Sequence, residues 1–129
     1  MKRLLSLLLV PLVALALTAC GTASEVAKTP QQRVFAAKSD YAAILAVAVA
    51  YESQRRCAPG EPIYTRCSNT AVVMRLRQAD DTAKVALDAA EATVRNPATS
   101  GNDVELALTS ATNAVGVLRT ILISVGAMK

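Results

Sequence analysis

Apolar residues recur at alternating spacings of three and four along three stretches of this chain, the period of a helix with one buried face. In the first stretch Val34, Ala37, Tyr41, Ile44, Ala48 and Tyr51 fall on one line, which predicts a helix over 30–56. Thr29-Pro30-Gln31-Gln32 supplies its start, with a hydroxyl able to cap, a proline at the first helical position and a glutamine three residues after the cap. In the second, Val72, Leu76, Ala79, Ala83, Ala86, Ala90 and Val94 keep the rhythm between a cap at Ser68 or Asn69 and a stop at Asn96-Pro97. The third carries Val104, Leu108, Ala111, Val115, Leu118, Leu122 and Val125, with Asn102 and Glu105 as a second capping box and an end near Ala127.

Three helices of similar length, short connections and one seam each predict an all-α, up-down-up three-helix bundle over 29–129. Composition agrees, because alanine dominates while the chain has three Tyr, one Phe and no Trp. Alanine at many seam positions implies close helix approach and a modest buried area per residue.

The segment before Thr29 is different in kind. Lys2 and Arg3 precede an apolar run from Leu4 to Leu17 broken only by Ser6 and Pro11, which is the anatomy of a signal peptide over 1–19. The run is about 21 Å long as a helix, too short to cross a bilayer comfortably. An uncleaved anchor and a plain secretory cleavage site are the alternatives. Gly21 to Lys28 is small and polar without periodicity, a linker that reaches at most about 28 Å when extended.

Leu17-Thr18-Ala19-Cys20 resembles the lipobox of bacterial lipoproteins, in which the leader is removed and the cysteine acylated. The resemblance implies a lipid at Cys20, palmitate among its acyl groups, and a periplasmic domain held at a membrane through 20–28. Gly21 stands where an aspartate would favour inner-membrane retention, so the outer membrane is expected, with inner-membrane anchoring the alternative. Lys129 invites comparison with the murein lipoprotein, whose terminal lysine joins peptidoglycan. That likeness covers only the lipobox and one residue, and a folded bundle departs from a single trimerising helix.

Cys57 and Cys67 flank a loop marked by Pro59-Gly60 and Pro62. In the oxidising compartment that the lipobox implies, they are expected to form a disulfide joining the first two helices. A redox or metal pair is the alternative, although the chain lacks C-x-x-C spacing and histidine. No metal and no cofactor beyond the lipid are expected. Removing Lys2 and Arg3 with the leader lowers the formal charge from +4 to +2, which argues against nucleic acid.

Two features gather at the end of the bundle far from the lipid. Arg55, Arg56, Arg66, Arg75 and Arg77 surround the loop against Glu61, a candidate surface for an anionic partner. Residues 41–51 and 114–128 carry only Arg119 as a charge, so Leu45, Val47, Val49, Val117, Ile121 and Ile123 exceed what one seam can bury. Asp80 and Asp81 are adjacent and point about 100° apart on a helix, without a matched acid, base or metal ligand. With no catalytic constellation, the expectation is a non-enzymatic interaction or envelope-structural module. Its partner would be a second copy or an envelope protein, peptidoglycan contact being a further alternative. A rival reading is a lipid or small-molecule carrier with an apolar cleft between the first and third helices.

Overall fold

The computed structural model describes residues 29–62 and 67–129. The expected signal peptide, lipobox with Cys20 and linker, together with Arg66, lie outside the described residues. Three helices make up the domain: α1 (Pro30–Glu52), α2 (Thr70–Arg95) and α3 (Gly101–Ser124). Among the described residues there is no β-strand, only an isolated parallel bridge between Arg56 and Ser68.

Interhelical ion pairs fix the directions. Lys38 meets Glu91 while Glu52 meets Arg77, so α2 runs antiparallel to α1. Arg33 meets Glu105 and Asp40 meets Arg119, so α3 runs parallel to α1. The start of α1, the end of α2 and the start of α3 share one end, which we call the near end. The cysteine loop and the C-terminus share the far end.

The α1 cap is the predicted capping box: Gln32 N–H donates to Thr29 Oγ1 at 3.2 Å and Thr29 N–H to Gln32 Oε1 at 3.1 Å. The helix ends at Glu52, four residues short of the expected 56. Beyond it, the carbonyl of Arg55 accepts the Ser68 N–H at 2.8 Å and that of Gln54 accepts the Ser68 hydroxyl at 3.0 Å. Those carbonyls are turned toward the start of α2, which is incompatible with another helical turn.

Asn69 caps α2 by accepting the N–H groups of Ala71 and Val72 at 2.9 and 3.3 Å. For α3 the expected pair of Asn102 and Glu105 is replaced. Ser100 is the cap, accepting the Asp103 N–H at 3.2 Å, because the Glu105 carboxylate is engaged by Arg33. The third helix stops at Ser124 rather than near Ala127. Gly126 adopts φ +69, letting its N–H reach the Ile123 carbonyl and the Ala127 N–H the Leu122 carbonyl, both at 3.0 Å.

The seams of α1 and α3 pack as their spacing predicts, each residue buried or half-buried. On α2 the stripe is wider. Val73 and Leu87 are buried beside the expected Leu76, Ala79, Ala83 and Ala90, while Val72, Ala86 and Val94 are half-buried. Each helix packs against the other two, and α2 uses this broader face to meet both α1 and α3. Ala83 and Ala90 are fully buried, and α2 with α3 forms the most extensive interface, as small side chains allow.

Candidate interaction surfaces

The far end is held by a polar clasp. Cys57 and Cys67 are joined by a disulfide with a Cα–Cα distance of 4.9 Å, in the loop between α1 and α2. Ser68, fully buried, donates to Gln54, accepts from Arg56 Nη1 at 3.2 Å, and its carbonyl accepts the Cys57 N–H at 3.2 Å. Tyr51 closes the other side, its Oη accepting the Asn69 N–H at 3.0 Å. Gly60, at φ +80, turns the loop so that Glu61 faces back. Glu61 Oε2 then accepts the Ala58 N–H at 2.9 Å.

The arginines of this end are largely engaged within the chain. Arg55 forms a bidentate pair with Glu61 at 2.5 and 2.9 Å, and this hydrogen bonding raises the Arg55 pKa. Arg77 binds Glu52 and is raised by the same cause. The Glu52–Arg77 pair was not apparent from the sequence because Glu52 stands 25 residues from Arg77 and before the run counted around the loop. Arg75 is exposed and lines a groove of about 270 Å³ with Gln78, Ala79, Thr82, Ala114, Val117 and Ile121.

Cys57, Cys67 and Glu61 bring ligand-type atoms within 4.8 Å of one another. The sulfurs are bonded to each other and the carboxylate spans a guanidinium. The arrangement is therefore a closed clasp while the disulfide is intact. Asp80 is likewise occupied, accepting from Tyr41 Oη at 2.5 Å and Lys84 Nζ at 2.5 Å. Burial and the Asp80 carboxylate push the Tyr41 phenol well above its ordinary pKa. Asp81 points elsewhere, lining a shallow depression between α2 and α3 with Thr82, Val85 and Ser110.

Apolar surface is the larger feature. Of the residues in excess of the seam, Val49, Val117 and Ile123 are exposed, while Leu45, Val47 and Ile121 are half-buried. Phe35, Met74, Val85 and Leu106 are also exposed, at 76%, 67%, 70% and 71%. Each falls off its helix's seam, a signal present in the spacing but not used. Both α1 and α3 are long and apolar enough to cross a membrane by length and composition. Only 22% and 28% of their most apolar 18-residue stretches are buried.

Between the first half of α1 and the middle and second half of α3 runs a groove of about 250 Å³. Ala36, Ala37, Thr112, Val115 and Gly116 line it, and Arg33, Asp40 and Arg119 rim it. Arg33 binds Glu105 through both nitrogens, at 2.5 and 3.0 Å, which raises the guanidinium and holds the carboxyl below its ordinary range. Asp40 and Arg119 are looser, at 3.8 Å. Comparison of the chain with protein-family models, curated proteins and solved structures gives no match.

Proposed function

We propose that this chain is a lipid-anchored envelope protein, tethered through Cys20 at the outer membrane, whose helical domain binds other macromolecules and carries out no chemistry. The observation that carries this reading is the apolar surface left outside the core by α1 and α3. A helix that serves only its own bundle needs one apolar stripe, and these two have more. Val49, Met74, Val117 and Ile123 lie in the far half of the bundle, with Arg75 exposed among them. Since Arg55 and Arg77 are paired internally, apolar contact contributes more to this surface than the arginine count implies.

The carrier reading draws less support. The α1–α3 groove is rimmed by charge, and its 250 Å³ is below the roughly 300–1,000 Å³ of typical ligand pockets. A photo-cross-linking residue placed at Val49 or Ile123, in cells, tests the binding reading against Asp88 on the charged face of α2. Macromolecular adducts at Val49 and Ile123 but not at Asp88 are expected. Equal yields at all three would overturn the reading. A lipid co-purifying with the protein in native mass spectrometry, without macromolecular adducts, would establish the carrier instead.

A further inference from the structure

The α1–α3 groove has two properties the monomer does not use. Gly116 lies in the middle of α3, where glycine weakens a helix relative to alanine, yet a Cβ there would meet nothing within 4 Å. Packing among the described residues therefore does not call for glycine, whereas close approach of a second molecule does. The rim charges are also ordered. Along α1 a cation, Arg33, precedes an anion, Asp40, and along α3 an anion, Glu105, precedes a cation, Arg119. All four side chains are about half-exposed, at 41%, 56%, 58% and 48%, so each can take a second partner.

That order makes the face complementary to itself. A two-fold axis parallel to the helices lays α1 of one copy against α3 of the other at the same level. Arg33 then opposes Glu105 of the other copy, and Asp40 opposes Arg119. The relative levels are those at which these residues already meet within one chain, so their reach suffices. A perpendicular two-fold would also match charges, pairing Arg33 with Asp40 and Glu105 with Arg119 across the interface. Its axis passes between the levels of Arg33 and Asp40, which sets the two Thr29 ends about 22 Å apart along the helices at 1.5 Å per residue. The eight residues between Cys20 and Thr29 reach at most about 28 Å, so either axis lets both tethers reach one membrane surface.

We propose that a second copy of this chain docks in the α1–α3 groove about one of these two-fold axes. The small floor of Ala36, Ala37, Thr112 and Gly116 admits the partner helix, and the Arg33, Asp40 and Arg119 charges of the rim with Glu105 beside it set register. The inference rests on the binding-domain reading and names its partner.

The test uses the full chain in detergent micelles, with mass measured by analytical ultracentrifugation. A dimer is expected. Gly116→Leu should weaken it at least about tenfold while helix content and melting are kept or raised, since the monomer leaves that space open and leucine favours a helix over glycine. A variant combining Arg33→Glu, Asp40→Arg, Glu105→Arg and Arg119→Asp keeps every pair with polarity reversed, so it should dimerise with itself and avoid the native chain. Should Gly116→Leu fail to fold, this mixing experiment still decides. For orientation, cross-linking of an A36C and T112C mixture marks the parallel axis and cross-linking of A36C alone the perpendicular one, while absence of both would count against docking in this groove. A monomer at tens of micromolar, a dimer indifferent to Gly116→Leu, or free mixing of native and reversed chains would overturn the proposal. Adducts at Val49 and Ile123 would stand in each case, separating this failure from failure of the binding reading.

Discussion

Tyr51 and Asn69 join the last turn of α1 to the cap of α2: the buried phenol oxygen accepts the Asn69 backbone N–H at 3.0 Å. Asn69 also receives two N–H groups of α2 on its side chain, so one residue links the cap of a helix to the core of its neighbour. Tyr51→Phe keeps the ring and strands that N–H. A loss of about 1–2 kcal/mol is expected in urea unfolding, with the slope unchanged.

The disulfide closes a short loop, its cysteines ten residues apart. Loop-closure entropy gives about 2–3 kcal/mol for such a crosslink. Reduction, or Cys57→Ser with Cys67→Ser, should lower stability by that amount and leave most helicity in place, as far-UV circular dichroism with urea titration would show.

Alanine at the α2–α3 interface sets how near those helices come. Ala83 and Ala90 are fully buried, so Ala83→Leu must push the helices apart and should cost about 1–3 kcal/mol in thermal or urea unfolding. Val85→Leu, on an exposed position of the same helix, should be close to neutral and controls for the added volume.

Acid and alkali should act through different residues. Hydrogen bonds from Arg33 hold Glu105 below the ordinary carboxylate range, and Lys38 with Arg95 does the same for Glu91. A depressed carboxyl contributes stability that is present above its unfolded pKa, about 4.3, and lost as pH falls through the folded value. The melting temperature should therefore drop on acidification below about pH 4.5, less steeply in Glu105→Gln. Tyr41 is raised by burial and Asp80, so its contribution is present below about pH 10 and lost above it. Tyr41→Phe should flatten that alkaline limb.

What the sequence revealed and what it hid follow from the range of the interactions. The seams on α1 and α3 and the Thr29–Gln32 box are local, set by spacings of three and four, and were legible. The end of α1 was not, because Ser68 claims the carbonyls of Gln54 and Arg55 across a loop. Nor was the cap of α3, where Glu105 turns to Arg33 on another helix instead of back to its own start. The same reason hid the neutralisation of the basic end, since Arg77 finds Glu52 only once α1 and α2 lie antiparallel. The exposed Phe35 and Leu106 were readable in principle, being off-seam, but which side of a helix stays bare depends on how many neighbours it has.

The proposed tether at Cys20 would give the domain its orientation, and the mass of the protein extracted from membranes of a bacterial host tests it most directly. The account predicts a chain of residues 20–129 carrying added acyl mass, recovered with membranes and lost from them in Cys20→Ala. A soluble chain, or one whose mass corresponds to all 129 residues without lipid, would contradict it.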